Sequence, residues 1–309
     1  GDMQRKIVVT GGAGFIGSHL VDALVKEGRV IAVDNLVAGS AKHIHSDARL
    51  IVADVRNVTE LIPHFQGADT VFHLAALPRG QRSIEDPVGT GMVNINGTMN
   101  ALIAAQMAGV QRFIFASSSS VYGNPTNLPA HEGLPLNPLS PYAMHKSVGE
   151  SLCRIWSQIY GLKTMCLRFF NVYGPRFDPS GPYALVIGKF LTQRLAGEPL
   201  TVCGDGEQSR DFTHVSDVVR ACVGALSMPD ELSDGIAINI GGGNPTSINR
   251  IAELISGRYR NITYLPAREG EPRHTHADIK KAARVLGWKP NISIESGIAQ
   301  LKAEMGIQG

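Results

Sequence analysis

Tyr142 and Lys146 stand four residues apart in Ser140-Pro141-Tyr142-Ala143-Met144-His145-Lys146, so on a helix both side chains leave one face, a turn apart. A phenol of pKa about 10 is about one part in a thousand phenolate at pH 7, a deficit near 4 kcal/mol. A cation within about 4 to 6 Å lowers such a pKa by about 1 to 3 units. Lys146, helped by an oxidised nicotinamide, could therefore make Tyr142 a general base. The spacing alone also fits a surface aromatic beside a solvated lysine. The catalytic reading gains from the run Ser117-Ser118-Ser119-Ser120-Val121-Tyr122-Gly123, which ends a predicted strand upstream. A hydroxyl at a strand's carboxyl end faces the crevice where open α/β sheets bind ligands. No G-x-S-x-G elbow surrounds these serines, so a nucleophilic serine is not expected.

A second group of residues could hold a dinucleotide. Gly11-Gly12-Ala13-Gly14-Phe15-Ile16-Gly17 lies between a β-branched run, Lys6 to Thr10, and apolar residues at helical spacing, Phe15, Ile16, Leu20 and Leu24. Bare backbone at such a turn lets a pyrophosphate approach the helix N-terminus. The glycines at 11, 14 and 17 are spaced G-x-x-G-x-x-G. Asp34 ends the next strand, near the offset of about 20 residues at which a carboxylate accepts from the ribose hydroxyls. That carboxylate would repel a 2′-phosphate, so NAD is expected over NADP. Asn35 follows it, and Asp54-Val55, after the third strand, falls at the adenine edge; each aspartate could also be an ordinary turn residue.

The elements that must position these residues alternate. Strand-like runs at Val30 to Val33, Leu50 to Ala53, Thr70 to Leu74, Arg112 to Ser117 and Thr164 to Phe169 are separated by helical stretches, which means βαβ crossovers and a parallel sheet covered on both faces. The expected fold is α/β: a Rossmann-type doubly wound parallel sheet with a smaller C-terminal α/β substrate lobe. Residues 1–170 form the NAD-binding domain and 171–309 the nucleotide-sugar lobe, with Ala237 to Ile240 a strand that could return to the main sheet.

Composition narrows the class. The chain has 309 residues, 43% of them hydrophobic, and a formal net charge of +2 spread along its length, which disfavours nucleic acid as a partner. No apolar run approaches the roughly 20 residues that span a bilayer. Cys153, Cys166, Cys203 and Cys222 show no CxxC spacing and no secretory leader precedes them, so reduced thiols and the cytoplasm are expected. His274 and His276 lack a third partner, and no metal is expected.

Taken together the chain resembles the extended short-chain dehydrogenase/reductase family, and most closely its nucleotide-sugar 4-epimerases of the UDP-galactose/UDP-N-acetylglucosamine 4-epimerase type. The resemblance covers nearly the whole chain: TGGAGFIGSHL, HLAA at 73–76, RSIEDP at 82–87, NINGT at 94–98, SSSSVYG, SPYAMHK, RFFNVYGP, RDFTHVSDV and ADIKKAARVLGWKP. It implies tightly bound NAD, regenerated each cycle, touched also by Leu74, Ala75, Ala76 and Asn94. It implies Tyr142 as base, Lys146 as its partner and nicotinamide-ribose ligand, and Ser118 as the hydroxyl that relays or orients the proton, with Ser119 and Ser120 beside the sugar. It implies Asn171, Arg210 and Arg268 on the substrate's diphosphate, although each arginine stands beside an acid and could be a surface ion pair. Thr275 falls at the gate beside the sugar's C2 group, where a small residue implies acceptance of N-acetyl sugars. A homodimer is implied as well.

Two departures matter. Related 4,6-dehydratases carry Asp-Glu where this chain has Ser119-Ser120, and UDP-glucuronate decarboxylases carry Glu at Ser120, so oxidation and re-reduction at C4 is the implied chemistry. Many 4-epimerases place a lysine on the cofactor shortly after the HLAA segment, where this chain has Leu77-Pro78-Arg79. The competing expectations are a UDP-glucuronate 4-epimerase, a nucleotide-sugar 4-ketoreductase with net redox change, and a non-catalytic NAD-sensing protein.

Overall fold

A computed structural model describes residues 5–179 and 184–309. Its centre is a sheet of seven parallel strands: β1 (Lys6–Thr10), β2 (Arg29–Asp34), β3 (Arg49–Val52), β4 (Thr70–His73), β5 (Arg112–Ser118), β6 (Lys163–Phe169) and β7 (Asp234–Ile240). In space they run β7-β6-β5-β4-β1-β2-β3. The order reverses beside β1, and at such a switch point the crevice past the strands' carboxyl ends takes a ligand. The strand expected at Ala237 to Ile240 does join the sheet, pairing Ile238 with Leu167 of β6.

Both faces of the sheet are covered, which is why its strands read as continuous apolar runs. One face carries α1 (Phe15–Leu24), and α8 (Val215–Ala225) and α10 (Lys280–Leu286) pack there too, around Leu20, Leu24, Val218 and Trp288. The other carries α2 (Val58–Phe65), α5 (Gly97–Met107) and α6 (Pro141–Tyr160), around Leu61, Phe65, Leu102 and Trp156. Segments after residue 171 therefore belong to the sheet's layers as well as to the lobe. Short helices α3 (Gly80–Glu85) and α4 (Pro87–Gly91) lead through a π-helical turn, Met92–Asn96, into α5. The smaller lobe has its own apolar core, built from α7 (Val186–Leu195), α9 (Ile248–Ser256), α11 (Ile294–Glu304) and the paired strands Leu200–Cys203 and Ile262–Leu265. Among the described residues no helix is long and apolar enough to cross a membrane.

Candidate active site

Helix α6 starts where chemistry is expected. Pro141 fits the first turn, where its missing N–H costs no helical bond, and the Ser140 hydroxyl accepts from Ala143 N at 3.1 Å, capping the helix. Tyr142 thus lies in the first turn and Lys146 one turn on, at the carboxyl end of β5. The Lys146 ammonium is buried, donates to the Ala116 carbonyl at 2.7 Å, and lies 5.7 Å from the centre of the Tyr142 ring. Burial lowers the Lys146 pKa to about 8, so the side chain is still mostly cationic at pH 7.

Ser118 is brought to the same place by β5. Its side chain lies beside Tyr142 and favours the ionised phenol, and its oxygen accepts from Ser120 N at 3.1 Å and from the Ser120 hydroxyl at 2.9 Å, capping the 3₁₀ turn Ser119–Tyr122. Ser120 is thereby engaged with Ser118, and Ser119 sits beside it, half-buried. The charge balance differs from the simple expectation of a phenol depressed by lysine. Burial pushes the Tyr142 phenol above its ordinary value, while Arg79 and Ser118 pull it down. The lysine spacing was legible in sequence; the depth of the ring was not.

Beneath the pair lies a buried polar network that spacing arguments missed. Glu150 follows Lys146 by one more helical turn and receives both Arg168 Nε at 2.9 Å and Arg168 Nη2 at 2.7 Å. Ser117 donates to the same carboxylate at 2.6 Å, and Arg168 Nη1 reaches the Tyr122 hydroxyl at 2.8 Å. Tyr122 in turn donates to Asn239 Oδ1 at 2.7 Å, and Asn239 Nδ2 donates to the carbonyls of Ala130 and Asp278 at 2.9 and 3.1 Å. The network ties the catalytic helix to β5, β6, β7 and the segment that carries residues 275–278. Its signal in the sequence was a charge at the third turn of a buried helical face, Tyr142, Lys146, Glu150.

At the other end of the crevice the glycine turn fits a dinucleotide. Gly11 has φ +68°, and an added Cβ would come 2.8 Å from Ala75 N, so only glycine allows Leu74-Ala75-Ala76 to close on this turn. At Gly17 a Cβ would overlap the Gly11 carbonyl oxygen. Helix α1 is capped by Gly14 without any side-chain acceptor and has no acid in its first turn, which leaves the N–H groups at Phe15, Ile16 and Gly17 facing an anion site. Asp34 is buried at the end of β2, with Oδ2 accepting from Ala13 N at 3.0 Å and Oδ1 from Leu36 N at 2.8 Å. This holds the carboxylate beside the turn with lone pairs to spare for ribose hydroxyls. Denaturing the purified protein should therefore release NAD and no NADP. Recovery of NADP would show that Asp34 does not select the cofactor.

Four expected cofactor neighbours have other partners in the structure. Asp54 forms a two-pronged ion pair with Arg56, the shorter arm 2.7 Å, which holds its pKa down to about 2, and Asn35 Nδ2 leans on it at 3.4 Å. Val55 is buried, with its carbonyl accepting from Asn100 Nδ2 at 2.9 Å. Asn94 clasps Leu77 through both N–H (2.8 Å) and carbonyl (2.9 Å) and meets His145 Nδ1 at 3.1 Å. It thus fixes the Leu77-Pro78-Arg79 loop beside α6.

The lobe residues converge. Register pairs Ser118 with Phe169, which puts Asn171 just past the same sheet edge, at φ +35°. Asn171 Oδ1 accepts from Thr275 Oγ1 at 3.1 Å, and Thr275 Oγ1 accepts from Asp211 N at 2.9 Å. Arg210 is nearly buried and lies 3.8 Å from Glu271, while exposed Arg268 lies 4.0 Å from the same carboxylate. Two cations around one acid could exchange that acid for a diphosphate. Asp211, also missed in the sequence, anchors this corner: its Oδ2 accepts from Ala277 N at 2.8 Å and Gly243 N at 3.1 Å, and burial raises its pKa.

Residues 7–241 match the NAD dependent epimerase/dehydratase family. The chain belongs to that family. It is 37% identical over 307 residues to a UDP-glucose 4-epimerase of Mycolicibacterium smegmatis, covering 96% of each protein. The fold superposes on the crystal structure of UDP-glucose 4-epimerase with UDP-glucose from Thermotoga maritima with a TM-score of 0.92 and 36% identity, over 97% of this chain and 98% of that one. A UDP-N-acetylglucosamine 4-epimerase from Methanobrevibacter ruminantium M1, in complex with UDP-N-acetylmuramic acid, follows at 0.90 and 34%, over 97% and 99%. NAD dependence and the Rossmann-type architecture thus hold for this member of the family.

Proposed function

We propose that the protein is an NAD-dependent 4-epimerase of UDP-sugars, interconverting UDP-glucose with UDP-galactose and the N-acetylated pair likewise through a transient 4-keto sugar. The observation that carries this reading is the Tyr142 ring beside Ser118 and over the Lys146 ammonium, in a site whose Ser119 and Ser120 offer no carboxylate to expel water or carbon dioxide from the sugar. Tyr142 takes the proton of the 4-hydroxyl and later returns it, Ser118 orients that hydroxyl, and Lys146 keeps positive charge under the ring. Bound NAD supplies the reversible hydride acceptor and a further positive charge beside the phenol. Asn171, Arg210 and Arg268 hold the diphosphate, so the sugar can turn about it between the two half-reactions. Incubation with a panel of UDP-sugars, UDP-glucuronate included and no cofactor added, should give C4 epimers of the glucose and N-acetylglucosamine forms. Products from UDP-glucuronate alone would move the assignment.

Thr275 would set the breadth of that panel. An acetamido group needs room for several heavy atoms beside C2, and overpacking a filled pocket costs about 1–3 kcal/mol, about a 5- to 150-fold loss. Thr275→Tyr is expected to lower kcat/KM for the acetylated pair by that factor relative to the plain pair. Thr275→Val removes the hydroxyl bonds to Asn171 and Asp211 without adding bulk and should leave the ratio unchanged. Equal losses for both sugar pairs in Thr275→Tyr would take the gate away from this residue.

The same reading makes the protein a cytoplasmic homodimer. Its four cysteines are free, three of them buried, as in a reducing compartment. Exposed Val88, Met92, Ile155 and Ile159 put apolar surface on α4, the π turn and α6, which a second copy would cover.

A further inference from the structure

Between the cofactor turn and the catalytic helix runs a short irregular segment, Leu74-Ala75-Ala76-Leu77, pinned at its two ends. At the first end the Thr10 hydroxyl oxygen accepts from Leu74 N at 3.1 Å and from Ala75 N at 3.2 Å, where Gly11 lets the chains close. At the second the Asn94 amide clasps Leu77 with both its groups, Oδ1 accepting from Leu77 N at 2.8 Å and Nδ2 donating to Leu77 O at 2.9 Å. Those two bonds fix which way the amide points, because turning it round would set N–H against N–H and oxygen against oxygen. Asn94 Nδ2 then has one proton left, and it faces His145 Nδ1 at 3.1 Å. His145 Nδ1 must therefore present a lone pair, and the buried ring carries its proton on Nε2. A second proton on this ring would sit on Nδ1 and point at an N–H that has nowhere to turn.

We propose that His145 is a positioning residue of the epimerase reading given above: its neutral ring, acting through Asn94, keeps residues 74–77 against the cofactor turn, and proton uptake by the ring releases that segment and with it NAD. His145 directly precedes Lys146 on α6, and Asn94 stands in the π-helical turn Met92–Asn96, so the latch joins the helix of the catalytic pair to the segment that closes the glycine turn. Burial first, and Lys146 second, push the His145 pKa down. α4, the π turn and α5 bring no ionisable side chain against α6. Asp86, at the start of α4, accepts from Gly89 N at 2.9 Å, and α3 adds Arg82 and Glu85. The strands beneath α6 bring Arg168, which is paired with Glu150, and Arg112, Lys163 and Asp234 at their opposite ends. His73, bonded to Thr10 and Thr98, has a pKa of about 3 and stays neutral across the range in which His145 titrates. The latch is therefore closed above the ordinary histidine value of about 6.5 and opens as pH falls below it.

The test reads the cofactor directly. The holoenzyme is desalted in buffers from about pH 8 down to about pH 5, and the NAD still bound is released by denaturation and measured against protein. His145→Asn places an amide oxygen where Nδ1 stands, an acceptor for Asn94 that takes up no proton in this range, whereas His145→Phe fills the space without an acceptor. The native protein and His145→Asn should retain NAD alike near pH 8. Toward pH 5 the native protein should release it about ten-fold faster than His145→Asn, the scale of a buried donor left facing another donor. His145→Phe should release it faster at every pH, and kcat/KM should hold to lower pH in His145→Asn than in the native protein. Should His145→Asn fail to fold, His145→Gln offers the same acceptor on a longer arm. NAD loss that runs in parallel in the native protein and the acceptor variant overturns the proposal. So does a native protein that keeps NAD equally well at both ends of the range, or a His145→Phe protein that keeps it as well as the native one near pH 8. Retention needs no turnover, so a native protein that epimerises nothing would refute the functional reading while NAD release still decides the role of His145.

Discussion

Tyr142→Phe is expected to lower kcat by at least ~100-fold and to leave UDP-sugar binding nearly intact. The ring and its packing over Lys146 are kept, and only the hydroxyl beside Ser118 is removed. No neighbouring group can replace it. Ser118 has no base of its own, its hydroxyl already serving Ser120 and the cap of the 3₁₀ turn, and His73 is buried with a pKa near 3, bonded to Thr10 and Thr98. In the proposed reading, binding rests on Arg210, Arg268 and Asn171, which the substitution does not touch. Steady-state kinetics with a separate measurement of UDP binding would show kcat falling with little change in affinity. Near-native turnover in this variant would remove Tyr142 from the chemistry.

Glu150→Ala should be the most destabilising single change near the site, by about 3–5 kcal/mol, because it strands a charged Arg168 whose side chain is 5% exposed. The loss should fall on activity too. Ser117 loses its acceptor one residue before Ser118, and Arg168, no longer held by the carboxylate, loosens from the Tyr122 hydroxyl that leads through Asn239 to residues 130 and 278. The double variant Glu150→Leu with Arg168→Met, which removes both charges and refills the volume, should recover much of that stability, since an apolar pair of similar size often replaces a buried ion pair at little cost. Denaturant unfolding of the three proteins checks this. A Glu150→Ala protein as stable as the native one would mean water reaches Arg168 and the network is not a closed one.

Much of this architecture was legible because it follows from local rules. The glycine turn at 11–17 needs residues without Cβ where backbone meets backbone, and the βαβ rhythm is written in apolar runs of strand length. Tyr142 and Lys146 were found because helical spacing puts them on one face. What stayed hidden depends on contacts between distant segments. Asn94 looks like a cofactor contact within its motif and in the structure closes the loop that carries Arg79. The sign of the Tyr142 shift could not come from spacing either, since it depends on how deeply the ring is buried and on an arginine more than sixty residues upstream. Asp211, next to the expected Arg210, gave no local sign that its carboxylate would tie together residues 243 and 277.

The central claim is that the C4 hydrogen leaves the sugar and returns to the opposite face of the same carbon without exchanging with water. The measurement that meets it directly is turnover of UDP-glucose in deuterium oxide with no cofactor added, followed by analysis of both sugars at C4 and of the nicotinamide absorbance. The account predicts a mixture of UDP-glucose and UDP-galactose, no deuterium at C4 in either, and no net change in the nicotinamide once equilibrium is reached. Deuterium at C4 would show that the carbon is inverted by proton exchange, and a lasting stoichiometric reduction of nicotinamide would show a dehydrogenase; either result would contradict the account.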